Sequence, residues 1–189
     1  MYVMTVDQRR SSSEDDAVPD ALELLGAETT IRPFERTAGD EIQGLLDDPD
    51  AVVRLTMMLA RTQRWSVGVG IGGVETPLAD SVRANRGVAF VAARVAVERA
   101  KSSPAHLAVE GEGATHAETA LLLLLDIAGR RSEAGWQAVD AMATCSTQVA
   151  AAATLGISAQ AMNRRLRVAG YVEERRGRQL VAHLLREAS

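Results

Sequence analysis

Between Trp65 and Ile71 the chain reads WSVGVGI, with Trp, Val, Val and Ile alternating against Ser and two glycines. Successive side chains of a strand point to opposite faces, so this period of two makes a strand with one apolar face and one bare face. Glycines on a strand let another backbone or a ligand come close. The chain is therefore expected to hold a sheet that something approaches tightly on one side.

The flanking segments fit such a sheet. Tyr2–Val6 is β-prone and Asp7 ends it; residues 8–16, QRRSSSEDD, read as a mobile polar loop. Val18–Leu25 suits a short helix, with Pro19 tolerated in its first turn. Thr29–Thr37 and Ile42–Leu46 are β-prone and flank a turn signal, which predicts a hairpin with Gly39 and Asp40 near its tip. Asp50–Arg61 carries Val52, Val53, Leu55, Met58 and Leu59 at helical spacing. Residues 72–86 read as a loop, Gly87–Lys101 as a helix and Leu107–Glu110 as a last strand.

Beyond Gly113 only helices are expected: Thr115–Ile127, Ser132–Ala143, Thr147–Leu155, Ser158–Ala169 and Arg178–Arg186. Strands mixed with helices, followed by helices alone, predict an α+β domain over residues 1–113 and an all-α domain over 132–189. Residues 114–131 would connect them. Thr115–Ile127 is apolar nearly all round, which suggests burial between domains or in a dimer interface.

Composition narrows the function classes. Of the 189 residues 47% are hydrophobic but only 3% aromatic, so the core must be aliphatic. The net charge of −4 hides a division: residues 1–144 sum to −8 and residues 145–189 to +4. A basic end on an acidic chain is a reason to look for nucleic-acid binding there. A single cysteine, Cys145, excludes an intrachain disulfide and a cysteine-based zinc cluster; it reads as a small buried residue. His106, His116 and His183 show no ligand spacing. No basic N-terminal region precedes an apolar run, and no aliphatic run approaches the length of a membrane span. The expectation is a cytoplasmic protein with no membrane partner.

The densest local signal is Thr147–Gly170, TQVAAAATLGISAQAMNRRLRVAG. Two short helices flank Leu155-Gly156-Ile157-Ser158. Gly156 can take the positive φ of a sharp helix end, and Ser158 is a good N-cap. Ile157, Met162 and Leu166 share one face of the second helix; Gln160, Asn163, Arg164 and Arg167 share the other. Arg suits guanine edges or phosphates, and Asn or Gln can pair with adenine. Arg175, Arg176 and Arg178 extend the positive face, and Glu173-Glu174 reads as a solvated helix end. The alternative is a structural helical hairpin with solvated arginines.

On Gln148, Ala152, Leu155-Gly156-Ile157-Ser158, Met162 and Arg165-Leu166, the segment resembles the helix-turn-helix of the LuxR and sigma-factor region 4 type. The resemblance covers about 24 residues and implies a second helix lying in the major groove of double-stranded DNA. A homodimer would present two such helices to half-sites.

A second constellation joins Asp7 to Arg36-Thr37-Ala38-Gly39-Asp40-Glu41-Ile42. Carboxylates at a strand end and at a neighbouring hairpin tip can meet at a sheet edge and hold Mg²⁺ with a nucleotide. Ordinary turn chemistry explains the same residues equally well. With WSVGVGIG and GVAFVAARVAVERAK, the pattern resembles the nucleotidyl-cyclase and GGDEF superfamily, and in overall layout the SatD-like family. That resemblance covers residues 1–110. It implies a ferredoxin-like, cyclase-palm domain, with Asp7, Gly39, Asp40 and Glu41 as nucleotide or metal candidates. Ala38 and Ile42 depart from the hairpin signature, and Lys101 is the only lysine. The departures point away from catalysis and towards a degenerate module for sensing or dimerisation.

Overall fold

The computed structural model describes residues 1–189 and is a mixed α+β structure with five strands and eight α-helices. The strands are β1 (Tyr2–Gln8), β2 (Arg32–Ala38), β3 (Glu41–Leu46), β4 (Trp65–Ile71) and β5 (Leu107–Glu110). They form one sheet in the order β2-β3-β1-β4-β5. β1 runs antiparallel to both β3 and β4, β2 is antiparallel to β3, and β5 is parallel to β4.

Alternation sends β-strand side chains into two different cores. Tyr2, Met4 and Val6 of β1 and Trp65, Val67, Val69 and Ile71 of β4 enter the larger one. It also takes α1 (Val18–Leu25) and α2 (Pro49–Thr62). The Asp48 side chain caps α2 by accepting from the backbone N–H groups of Asp50 and Ala51 at 2.9 and 3.1 Å. Val3 and Leu45 face the other way, against α3 (Val88–Ser102).

The bare face of β4 meets α3. A Cβ on Gly70 would lie 2.2 Å from the Ala89 carbonyl oxygen and the Ala93 nitrogen; one on Gly68 would lie 2.3 Å from the Val97 nitrogen. The helix answers with small side chains: Ala89, Ala93, Ala96 and Ala100 are fully buried. Of the two visitors the glycine pattern admits, a backbone and not a ligand has taken the place.

The remaining helices are α4 (Thr115–Gly129), α5 (Glu133–Thr144), α6 (Gln148–Thr154), α7 (Ala159–Val168) and α8 (Tyr171–Glu187). Their buried residues divide the chain differently from its order. Ala117, Leu121 and Leu124 of α4 and Val181, Ala182 and Leu185 of α8 belong to the core of the sheet. A separate small core holds Ala138, Ala141, Ala151, Ala152, Met162 and Leu166 of α5, α6 and α7. So α4 is part of the α+β unit and not a free connector, and α8 returns to that unit from the far side of α7. The Tyr2 hydroxyl donates to the Leu185 carbonyl at 3.0 Å, tying the first strand to the last helix.

Four further expectations are corrected. β1 continues through Asp7 to Gln8, and the following loop is held: the buried Gln8 amide donates to the Asp15 carbonyl and accepts from the Ala17 N–H, both at 2.8 Å. α4 is buried in the core of the sheet and not between the two cores, with Leu123 left 62% exposed. α8 begins at Tyr171, two turns before Arg178, and Glu174 within it is buried rather than solvated. Cys145 is half-buried at the end of α5. No helix is long and apolar enough to cross a membrane.

The two cores meet at a polar junction. The Arg61 guanidinium on α2 donates twice to Asp140 on α5, at 2.7 and 2.8 Å. Arg61 and Arg131 both lie over the Trp136 ring, 4.2 and 4.7 Å from its centroid. Arg131 is itself buried. Its Nε donates to the Ala169 carbonyl at 2.7 Å, and it forms an ion pair with Glu174. Glu174 also accepts from Arg178.

Candidate functional site

The α6–α7 pair is set by its caps. The Thr147 hydroxyl accepts from the Ala150 N–H, and the Ser158 hydroxyl from the Ala161 N–H, each at 3.1 Å. Between the helices Gly156 has φ 64, a left-handed conformation that an L side chain adopts at a cost. Met162 and Leu166 are buried against α5 and α6, which turns Gln160, Asn163, Arg164 and Arg167 to solvent on the opposite face.

The charge on that face is uncompensated. Arg164, Arg165 and Arg167 take part in no ion pair, and α7 contains no acidic residue. Elsewhere in the chain arginines are commonly paired, as Arg36 is with Asp16 and Arg54 with Glu28. Arg175 and Arg176 on α8 are exposed, and Arg175 lies over the Tyr171 ring. Arg178 differs from the other candidates. Its Nε donates to Glu174 at 2.6 Å, so its side chain helps to hold the junction together.

The N-terminal candidates lie side by side at the sheet edge, and only Asp7 among them engages a lysine. Asp7 on β1 stands opposite Glu41 on β3 in the strand register. Gly39, with φ 57, and Asp40 make the hairpin tip beside them. The Asp7 carboxylate pairs with the Lys101 ammonium at 3.0 Å, and Glu98 shares that ammonium at the same distance. Glu41 accepts from the Thr37 hydroxyl at 2.7 Å.

A divalent ion fits this arrangement poorly. Lys101 already supplies the positive charge at Asp7, and no three His, Cys, Asp or Glu side chains converge as a metal would need. Sequence reasoning missed Lys101 because it lies far along the chain. The crossover from β4 through α3 to the parallel β5 was the available signal, since it returns the end of α3 to the edge where β4 starts beside β1.

Burial raises the Asp7 carboxyl above its ordinary value; Lys101 pulls it back down, and Asp40 and Glu41 push it up again. An acid raised on folding contributes stability below its unfolded value and loses it as pH rises through the folded value. Lys101→Met removes the opposing pull. The variant is therefore expected to lose stability relative to wild type as pH climbs from about 4 to 7. Urea midpoints across that range check it, and a constant gap between the two proteins would contradict the assignment.

No family model, curated protein or solved structure matches this chain.

Proposed function

We propose that the chain is a DNA-binding transcription regulator, with α6 and α7 as a helix-turn-helix and α7 as the helix that enters the major groove. The exposed face of α7, carrying Gln160, Asn163, Arg164 and Arg167 with no carboxylate to neutralise it, carries this reading. Arg175 and Arg176 would add contacts to backbone phosphates. Arg178 leaves the set, because Glu174 holds it.

In the same reading the α+β unit is a ferredoxin-like, cyclase-palm module related to the SatD-like family, serving sensing or dimerisation rather than catalysis. Its support is the strand order β2-β3-β1-β4, with β1 antiparallel to both neighbours. A homodimer would space two α7 helices about one DNA turn apart. Val88, Val91 and Val95 on α3 are exposed apolar side chains that a second copy could cover. Light scattering that finds a monomer both free and on DNA would remove the dimer from the proposal.

Changing Arg164 and Arg167 together to Ala is expected to abolish specific binding. It should also make the slope of log affinity against log salt shallower by about 2, one counterion-release step for each arginine. Both side chains are exposed, so melting temperature should stay within a degree or two of wild type. Affinity for genomic DNA fragments that is unchanged in the double variant would overturn the assignment of α7.

A further inference from the structure

A cavity of about 630 Å³ opens at the junction of the two cores, between α2, α4, α5 and the start of β4. This is the size of a small-molecule site. Both tryptophans of the chain, Trp65 and Trp136, line it. So do Arg9, Arg61, Arg131 and His106. The one carboxylate in the wall, Asp126, is already held by Arg130, at 3.0 Å from its Nε.

Two buried nitrogens in this wall lack a partner. The Arg131 side chain is 1% exposed, and its Nη1 makes no hydrogen bond although Nε and Nη2 are both engaged. The His106 Nδ1 is equally buried and unpaired. Buried polar atoms are rarely left so, and an anion in the cavity would offer Arg131 the acceptor that its Nη1 lacks. Burial and the nearby positive charge of Arg9 and Arg10 also hold His106 low, against an upward pull from the Ala100 backbone.

We propose that this cavity binds a small organic anion: a carboxylate or phosphate directed at Arg131 and Arg9, carried on an apolar body that lies along Leu122 and Leu125. Arg131 makes the site more than a storage place. The same guanidinium holds the Ala169 carbonyl at the end of α7 and Glu174 near the start of α8. An anion competing for Arg131 would loosen its grip on the C-terminal end of α7. The second step, an effect on DNA, rests on the function proposed above; the binding itself does not.

The two tryptophans make the full-length protein its own reporter. Phenyl phosphate and benzoate place the two anion types on one ring, and benzyl alcohol is the uncharged control. At least one of the two anions is expected to change tryptophan fluorescence saturably in the millimolar range or below, with no saturation by benzyl alcohol. Arg9→Gln should weaken that anion at least tenfold. Arg9 is only half-buried and makes one exposed bond, to the Gln63 carbonyl, so this variant keeps the fold. Absence of saturation by both anions, equal response to benzyl alcohol, or an unchanged Arg9→Gln variant would each overturn the site. No DNA enters the titration. Its failure would leave the α7 reading standing, and a protein that binds the anion but no DNA would do the reverse.

Discussion

Glu174→Ala is expected to cost about 3–5 kcal/mol of stability, because it leaves the Arg131 guanidinium buried without its counter-charge. For a chain of this length that is a fall in melting temperature of roughly 6–20 °C. The large figure follows from burial on both sides: the Arg131 and Glu174 side chains are 1% and 5% exposed. The exposed pair Arg130–Asp126 on α4 should give less than about 1 kcal/mol when broken the same way. Replacing both partners, Arg131→Met with Glu174→Leu, should recover most of the loss, since the cost lies in the uncompensated charge and not in the missing bond. Thermal unfolding of the three proteins by circular dichroism checks this. A Glu174→Ala variant melting within two degrees of wild type would mean that the pair does not hold the junction.

Gly70→Ala is the second large effect. Its Cβ would sit 2.2 Å from two backbone atoms of α3, and backbone cannot swing aside as a side-chain tip can. Overpacking usually costs about 1–3 kcal/mol; with the helix itself in the way, the upper end or beyond is expected, and with it loss of soluble protein. Gly73→Ala, two residues past the strand end, is the matched control. Nothing lies within 4 Å of its Cβ, so it should be neutral or stabilise by about 0.4–1 kcal/mol through the unfolded chain. Soluble yield and urea midpoint of the pair decide the point. Equal behaviour of the two variants would show that α3 can back away from β4.

The contrast between these sites shows what the sequence made legible. β4 and β5 could be bounded to the residue, because alternating side chains and glycine breaks are local signals. The turn between α6 and α7 was visible for the same reason, as Gly156 and Ser158 act on their own neighbours, whereas Thr147 read as the first helical residue and proves to be the N-cap of α6. The start of α8 was not. Its inward face carries Glu174 and Gly177 where a helical pattern calls for apolar residues. Glu174 is there for Arg131, and Gly177 because a Cβ would meet Leu124 of α4 at 2.4 Å. Both reasons lie in distant parts of the chain, so the stretch reads as a polar break.

The candidate sites divide in the same way. Gln160, Asn163, Arg164 and Arg167 recur at helical spacing on one element, and the structure turns them outward together. Asp40 and Glu41 were placed by the hairpin and Asp7 by the strand end beside it, but Asp7 is paired with Lys101, which arrives from another element. The cavity beside Trp136 draws its wall from residues 9 to 136 and left no local pattern to read.

The bond from Tyr2 to Leu185 has a consequence for how the protein is made. The face of the sheet that carries Tyr2, Met4 and Val69 is not closed until α8 lies on it. Translation from the end of β5 to the end of α8 takes roughly 4–15 s at 5–20 residues per second. Until α8 is made, the apolar side chains that it covers lie open to water and to other nascent chains. The acidic stretch over residues 1–144, by keeping such intermediates mutually repulsive, is suited to surviving the wait.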